Sequence, residues 1–317
     1  MRYQADGPAA RAPLAGVELG GTKCVATLAH SPDAMLDQVT LPTLAPDETL
    51  PALAAVLAGW RERHGLAAVG IASFGPVCLD RASPRYGHVL ATNKPGWRDA
   101  DVLGTIAAPL ALPTGFDTDV NGAALAEMRW GAGRGLDDFA YVTVGTGVGV
   151  GLVVHGRPTR GLGHSEIGHI RVPRARGDDA PSACRYHDDC VEGLASGSAL
   201  RLRLGDRDVA TVGPDDPVWE PIVDVLAAMC HALVGSTGPL RIAIGGGMPV
   251  KQPHLLPRIA ARLEASLAGY MELPEDGYIV PPALGDRAGP LGAIALAADA
   301  LEEAADVAAR IEAEAML

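Results

Sequence analysis

Aromatic residues and positive charge are both scarce in this sequence of 317 residues. Phe, Trp and Tyr make up 4% of it, and 26 Lys and Arg residues stand against 38 Asp and Glu, which gives a net charge of −12. A strongly acidic chain repels a phosphate backbone, and few aromatic side chains are present to stack on bases. The composition therefore excludes nucleic acid as an expected partner.

Long apolar runs and a cysteine framework are also absent. No stretch of eighteen apolar residues occurs, so the sequence predicts no transmembrane helix and no membrane partner. Residues 1–13 lack the apolar segment of a signal peptide and are predicted to form a disordered lead-in. The five cysteines are odd in number and widely spread, which is not typical of a disulfide-stabilised secreted protein, so we expect a cytoplasmic location.

What the sequence does contain is apolar material arranged in a repeated pattern. Hydrophobic residues make up 48% of the chain, enough to build a sizeable core. Apolar runs at 14–19 and 140–144 are each followed by a turn rich in glycine and threonine and then by a second apolar run, at 24–29 and 148–154. Helical stretches follow at 49–64, 121–130, 217–233, 255–267 and from 291 onward. The pattern predicts an α/β protein of two related lobes, residues 14–118 and 119–290.

Three glycine-rich turns follow predicted strands. Glycine lets backbone N–H groups approach an anion closely because no Cβ obstructs them, and a threonine hydroxyl adds a donor. Taken singly, each turn is better explained as an ordinary hairpin turn, whereas the matching pair together with the third favours a polyphosphate site. The standard P-loop and dinucleotide-binding spacings are absent. The residues concerned are Gly20, Gly21, Thr22 and Lys23; Gly145, Thr146 and Gly147; and Gly245, Gly246 and Gly247.

Cysteine and histidine cluster at one point in the second half. Cys184, His187 and Cys190 form a C-x-x-H-x-x-C pattern, and His169 lies fifteen residues upstream of Cys184. Two thiolates and two imidazoles make a closed tetrahedral Zn²⁺ set, which predicts a structural zinc in the loop 169–192. The alternative is a chance grouping of two cysteines with surface histidines. Three different residues remain open as the fourth ligand: His164, Asp188 and Asp189.

Three acidic residues are candidates for chemistry. Asp119 stands at the start of a predicted helix, where it is either a helix N-cap or a reactive carboxylate. Glu166 and Glu192 bracket the zinc loop, where they either accept hydrogen bonds from a polyhydroxy ligand or are ordinary surface charges. A zinc-bound His169 would present its second ring nitrogen to another acceptor.

Taken together, these segments resemble the ROK family of sugar kinases, and most closely its bacterial, zinc-containing fructokinase branch. The resemblance runs from Gly16 to about Leu301. The segments that carry it are 18–23 (ELGGTK), 70–77 (GIASFGPV), 92–97 (TNKPGW), 118–121 (TDVN), 143–147 (TVGTG), 166–169 (EIGH), 184–192 (CRYHDDCVE), 193–197 (GLASG), 244–247 (IGGG) and 278–285 (YIVPPALG).

The resemblance implies a two-lobe, actin-like ATPase fold of the ribonuclease-H type, with a sugar cleft between the lobes and a C-terminal helix, 291–317, that packs back on the first lobe. It also implies ATP-dependent phosphorylation of a hexose, Mg²⁺ accompanying the ATP, a structural Zn²⁺ and a homodimer. Asp119 matches the family's catalytic base, and the three glycine-rich turns match nucleotide-side positions. The positions that match sugar contacts are Asn93, Asp119, Glu166, His169 and Glu192.

Departures from the remaining branches of the family bear on the sugar. Thr118 stands where glucokinase-like and acylmannosamine-kinase-like members carry Asn, and His187 stands between two cysteines where those branches mostly use three cysteines with a histidine. Both departures point to fructose, and Glu18 is shared with the fructokinase branch, whereas Asn93 is closer to the wider family. We therefore expect conversion of D-fructose to D-fructose 6-phosphate, with glucose, mannose and N-acylmannosamine as alternative substrates.

Two non-enzymatic functions compete with a kinase. The family contains sugar-responsive transcriptional regulators that carry a helix-turn-helix domain before the lobes, and only about fifteen residues precede the first predicted strand here. The second competing function is that of a sugar sensor without catalysis, and the presence of Asp119, Glu166, His169 and both phosphate turns argues against it. We therefore expect an enzyme.

Overall fold

A computed structural model describes residues 12–274 and 277–315. Residues 1–11 of the predicted lead-in and residues 316–317 of the predicted C-terminal helix lie outside the described residues. The strands are β1 Leu14–Leu19, β2 Lys23–Ala29, β3 Met35–Pro42, β4 Ala68–Ser73, β5 Thr114–Thr118, β6 Phe139–Val144, β7 Val148–Val154, β8 Arg157–Pro158, β9 Ile242–Gly245 and β10 Ile279–Val280. The α-helices are α1 Pro46–His64, α2 Val102–Ile106, α3 Asp119–Trp130, α4 Val191–Ala195, α5 Gly197–Leu204, α6 Trp219–Ser236, α7 Gly247–Lys251, α8 Leu255–Leu267 and α9 Ala288–Ala315.

Two five-stranded mixed sheets repeat one strand order. The first runs β3-β2-β1-β4-β5 and the second β8-β7-β6-β9-β10. In each sheet the first three strands in the chain are antiparallel neighbours, and the next two add in parallel on the other side. This repetition confirms the predicted α/β class with a duplicated core, which is the arrangement of a two-lobe actin-like ATPase.

Contacts divide the chain into two compact units. Of the described residues, unit 1 holds 12–129, 161–164 and 287–315, and unit 2 holds 130–160, 165–274 and 277–286. The division falls near the end of α3, whereas the sequence-based boundary lies between residues 118 and 119. Asp119 therefore belongs to unit 1, because its helix crosses α9 where Gly122 meets Gly292. Within the two described ranges, no helix is both long and apolar enough to span a bilayer.

Unit 2 is built around β6, β7 and β9, whose buried residues pack with the helices that follow them. Helix α6 packs against both α8 and α4, and Trp219 and Cys230 of α6 are fully buried. Helix α6 begins two residues after the predicted start at 217, and α8 has the predicted bounds. The apolar periodicity of both helices faces this core, which explains why their positions are readable from sequence.

A row of glycines lets α9 lie directly on the sheet of unit 1. Gly16, Gly70 and Gly115 are paired side by side on β1, β4 and β5. A Cβ at Gly70 would lie 1.9 Å from the carbonyl oxygen of Ala293, and one at Gly115 would lie 2.3 Å from that of Leu296. The helix backbone therefore rests on the strand backbone, at a distance that no larger residue permits.

Replacement of Gly70 by alanine is expected to destabilise the protein by about 3 kcal/mol, because the added methyl group overlaps the α9 backbone and neither element can move aside cheaply. Gly59→Ala is the matched control in α1, where the new Cβ meets only the mobile end of Arg63. That control should leave stability unchanged or raise it by about 0.5–1 kcal/mol. Chemical denaturation measures both variants, and equal stabilities would contradict the close approach described above.

Candidate active site and metal centre

The first glycine-rich turn, residues 20–23, joins β1 to β2 in unit 1. Gly20 N donates to Lys23 O at 3.1 Å, which closes the turn. A Cβ at Gly20 would lie 2.6 Å from that same oxygen, so this position needs glycine. Gly21, Thr22 and Lys23 are exposed. The turn is therefore tight and open to solvent, as a phosphate-binding turn requires.

Two carboxylates occupy the same edge of the sheet as this turn. Glu18 is near the carboxyl end of β1 and Asp119 directly follows β5, and β1, β4 and β5 run parallel. Burial raises the pKa of Glu18 to about 7, with a further contribution from the negative charge of Asp119 and an opposing one from Lys23. Burial also raises the pKa of Asp119 to about 6, against the hydrogen bond that Val120 N donates to its Oδ1 at 2.9 Å. Asp119 can therefore accept a proton near neutral pH.

Asp119 does not cap its helix. The helix α3 begins at Asp119 itself, and Thr118 Oγ1 accepts the hydrogen bond from Asn121 N at 3.1 Å. The N-cap interpretation of Asp119 is therefore wrong, because the preceding threonine performs that function. Asp117 is buried below the helix start, where its Oδ1 accepts from Thr118 N and from Asn121 Nδ2. Of the Asp119 carboxylate, Oδ1 accepts from Val120 N, while Asp117 and Thr118 accept the other hydrogen bonds at the helix start.

Asn93 lies in an exposed segment that reaches the first turn. Its neighbour Lys94 donates a hydrogen bond from Nζ to the carbonyl oxygen of Gly21. In the same segment Trp97 is fully buried, and its Nε1 donates to Leu44 O at 2.9 Å. The structure therefore places the Asn93 segment beside the turn, and buried Trp97 anchors it there.

In unit 2 the four predicted metal ligands converge. The ligand atoms of His169, Cys184, His187 and Cys190 all lie within 4.8 Å of one another. Cys184 Sγ lies 3.7 Å from Nδ1 of both histidines, and Cys190 Sγ lies 3.8 Å from His169 Nδ1. Tetrahedral zinc with bonds of about 2.3 Å to sulfur and 2.0 Å to nitrogen would separate such atoms by about 3.5 Å. The donor set and its spacing therefore fit Zn²⁺.

The alternative fourth ligands lie elsewhere. His164 belongs to unit 1, where its Nε2 accepts from Val77 N at 3.1 Å. Asp189 forms an ion pair with Arg171. Neither His164, Asp188 nor Asp189 is part of the converging cluster.

A buried ion pair connects the predicted zinc loop 169–192 to helix α5. Arg203 of α5 donates to both carboxylate oxygens of Asp178 at 2.6 and 2.8 Å, and the two side chains are 6% and 8% exposed. This bidentate contact lowers the pKa of Asp178 because the guanidinium donates to its ionised form. The irregular segment 171–182 is thus connected to the core at this point.

The metal cluster is connected to the second glycine-rich turn through Glu192. His169 directs Nδ1 at the sulfur atoms, while its Nε2 lies 3.9 Å from Glu192 Oε1. The second carboxylate oxygen, Oε2, accepts from Val148 N at 3.1 Å. A Cβ at Gly147 would lie 2.4 Å from that oxygen, so the turn packs directly on the carboxylate. Glu192 therefore supports the second glycine-rich turn by a hydrogen bond and by packing, in addition to being a predicted sugar contact.

The second and third turns adjoin each other. Gly197 N donates to Gly145 O at 2.7 Å, and Ser198 Oγ donates to Thr146 O at 2.8 Å, so the start of α5 holds the turn 145–147. Gly246 has a φ of 91°, and a Cβ there would lie 2.6 Å from the backbone of Val144, the last residue before the turn. Turns 145–147 and 245–247 therefore form one glycine-lined edge of unit 2.

Glu166 is exposed at the start of the short 3₁₀ turn Ile167–His169, and its carbonyl oxygen accepts from His169 N at 2.9 Å.

Sequence reasoning did not single out Thr43, Ser198 or the side chain of Lys94, each of which bonds a carbonyl group of a glycine-rich turn. Lys94 stands inside the segment 92–97, one of those that carry the family resemblance, and this could have indicated a role for it. Thr43 has no local signal, because its contact spans twenty-three residues.

A sequence model of the ROK family matches residues 14–300. The chain belongs to the ROK family. Among its relatives, this ROK protein is 39% identical over 294 residues to a fructokinase of Pediococcus pentosaceus, with 92% of this chain and 99% of that one covered. It is 40% identical to a fructokinase of Zymomonas mobilis, with 89% and 95% covered.

Solved structures agree with the fold of this ROK protein. The crystal structure of a ROK family glucokinase from Streptomyces griseus in complex with glucose and AMPPNP superposes with a TM-score of 0.71 at 28% identity. The superposition covers 90% of this chain and 99% of that one.

Proposed function

We propose that this ROK protein is an ATP-dependent fructokinase that converts D-fructose to D-fructose 6-phosphate. The observation that carries the proposal is the identity of 39–40% to two fructokinases over about nine-tenths or more of each chain. Thr118 and His187, which distinguish the fructokinase branch in the sequence, support the same sugar. The predicted homodimer and the cytoplasmic location stay predictions.

In the proposed reaction Asp119 is the general base. As the 6-hydroxyl oxygen of fructose forms its bond to the γ-phosphorus of ATP, the bond from that phosphorus to the β–γ bridging oxygen breaks and ADP leaves. The hydroxyl proton passes to the Asp119 carboxylate. A primary alcohol ionises far above pH 7, so the base is needed only as the transition state forms, and a carboxylate with a pKa of about 6 suits that task.

Glu18 supports this chemistry through its charge. The two carboxylates interact, so a proton or a cation near one of them affects the ionisation of the other. Mg²⁺ bound with ATP supplies neutralisation of the phosphate charge, and carboxylate oxygens such as those of Glu18 and Asp119 are the ligands it prefers. Such a cation would favour the ionised form of Asp119, which is the form that accepts the proton.

The remaining assignments follow the family pattern. We assign the phosphates of ATP to the turns 20–23, 145–147 and 245–247, whose glycines leave backbone donors accessible. We assign the sugar hydroxyls to Asn93, Asp119, Glu166, His169 and Glu192. The Cys and His cluster is assigned to a structural Zn²⁺, which would fix the ring of His169 through Nδ1 and leave Nε2 to face Glu192.

A panel of sugars tests the proposal. Coupled ADP-release assays with Mg·ATP should give kcat/KM for fructose at least about tenfold above those for glucose, mannose and N-acetylmannosamine, because a few hydrogen bonds read each hydroxyl. A preference for glucose or mannose would keep the kinase and reject fructose. Inactivity on every sugar would reject the kinase proposal for these substrates.

Replacement of Asp119 by Asn is expected to lower kcat by about 10²–10⁴-fold while fructose still binds, because the amide cannot accept the proton.

In the wild type the ionised form is the active one, so kcat/KM should fall about tenfold per pH unit below an apparent pKa of about 6. Asp117→Asn alters the neighbouring carboxylate and serves as the control, since in that variant kcat/KM should still fall at acidic pH, which is the acidic limb of the pH profile. An unchanged acidic limb in Asp119→Asn, or most of the activity retained, would remove Asp119 from this role.

The metal assignment makes a separate prediction. Purified protein should contain about one zinc per chain, and its removal by a chelator or by Cys184→Ser should lower Tm by roughly 6–12 °C, equivalent to about 3 kcal/mol. Cys78→Ser is the control, because Cys78 lies in unit 1 outside the cluster. Metal analysis that finds no zinc, together with a Tm unmoved by the chelator, would contradict a structural metal.

A further inference from the structure

All three carbonyl oxygens of residues 20–22 accept a hydrogen bond from another part of unit 1. Thr43 Oγ1 donates to Gly20 O at 2.7 Å, and Thr43 N donates to Thr22 O at 3.0 Å. The carbonyl oxygen between them, on Gly21, accepts from Lys94 Nζ. Two residues that nothing in the proposed function uses, Thr43 and Lys94, therefore supply every one of these bonds.

These bonds determine where the amides of the turn point. In a trans peptide the C=O of one residue and the N–H of the next are antiparallel. With the carbonyl groups of Gly20 and Gly21 held by Thr43 and Lys94, the N–H groups of Gly21 and Thr22 are directed the opposite way. Within residues 12–274 and 277–315, neither amide donates to another residue. Two adjacent backbone donors on an exposed turn make a site for an anion.

One buried side chain anchors the segments that contain Thr43 and Lys94. Trp97 packs edge-on against Phe74, with ring centroids 5.0 Å apart, and donates from Nε1 to Leu44 O. Thr43 directly precedes Leu44, and Lys94 lies three residues before Trp97. The same tryptophan therefore anchors the two main-chain segments from which Thr43 and Lys94 reach the turn.

We propose that Thr43 and Lys94 are positioning residues that hold the amides of Gly21 and Thr22 toward the phosphates of ATP. The inference rests on the proposed function and names two residues that act through the turn. Lys94 adds a second effect, because its ammonium group brings positive charge to the turn of a chain whose net charge is −12.

The test compares two ligands on the full-length protein. Isothermal titration calorimetry measures Kd for AMPPNP with Mg²⁺ and, separately, for fructose, in Thr43→Val and Lys94→Met. Each variant should bind AMPPNP about 3–30-fold more weakly, the usual effect of losing one orienting hydrogen bond, which is larger for a charged donor. Fructose affinity should not change. Tm should change little, because beyond the turn Thr43 Oγ1 contacts Cys24 Sγ at 3.2 Å and Lys94 Nζ lies 5.9 Å from the Phe74 ring centroid, both of which are weak contacts. A loss of nucleotide affinity alone separates positioning from general structural damage.

Three matched variants complete the design. Thr43→Ser keeps the hydroxyl and should bind AMPPNP like the wild type. Thr40→Val makes the same change at an exposed position of β3, the strand that Thr43 directly follows. Arg98→Met removes a positive charge four residues beyond Lys94. Both variants should also match the wild type. If Thr43→Ser is as weak as Thr43→Val, the hydroxyl is not the positioning group and the inference fails.

Two further results would overturn the inference. Unchanged AMPPNP affinity in Thr43→Val and Lys94→Met would show that the turn holds its amides without them. Equal losses for both ligands with a lower Tm would reduce the bonds to ordinary structural contacts. Failure of the proposed function gives a different pattern, in which the wild type itself binds no AMPPNP, and that result would overturn both.

Discussion

The contact between the backbone of α9 and three parallel strands determines the geometry of unit 1. Because Gly16, Gly70 and Gly115 are aligned across the sheet, the helix approaches without intervening side chains. The same helix then meets the two candidate catalytic elements. A Cβ at Gly289 would lie 2.1 Å from Glu18 Oε1, and Gly292 meets Gly122 of the helix that begins with Asp119. Backbone-to-backbone packing, which is insensitive to side-chain rotamers, thus sets the positions of both carboxylates.

In unit 2 the corresponding elements are joined by polar contacts. Cys190 belongs to the Cys and His cluster and is also the N-cap of α4, since its sulfur accepts from Gly193 N. Glu192 follows within the first turn of that helix and accepts from Val148 N at the far side of the second glycine-rich turn. A metal in the cluster would therefore stabilise the start of α4, and α4 would in turn hold Glu192 against the turn. The predicted metal ligands and the predicted sugar contact Glu192 are therefore parts of one local network.

Much of this arrangement was predictable from the sequence, because the signals are local. The strands β1 and β7 and the helix α8 have the predicted bounds, and the four metal ligands lie within twenty-two residues of each other. What sequence reasoning missed depends on tertiary contacts. Asp119 was readable as an N-cap until the structure showed Thr118 in that position. Thr43 reaches the first turn only because β3 pairs with β2. The residue type at position 43 does not indicate which distant segment it will contact.

The matching glycine-rich turns 20–23 and 145–147, which we propose to bind phosphate, have the same arrangement of hydrogen bonds. A chain with a net charge of −12 gains nothing from long-range attraction when it binds a polyanion, so the donors must be local and oriented beforehand. In turn 20–23 the carbonyl groups are held by Thr43 and Lys94, and in turn 145–147 by Gly197 and Ser198. In both turns the acceptors are satisfied inside the protein, so the amides that follow them face outward. The repeated strand order thus repeats a donor arrangement as well, although different residues produce it in each unit. Since backbone amides carry no net charge, such turns can bind phosphate without making the rest of the chain basic.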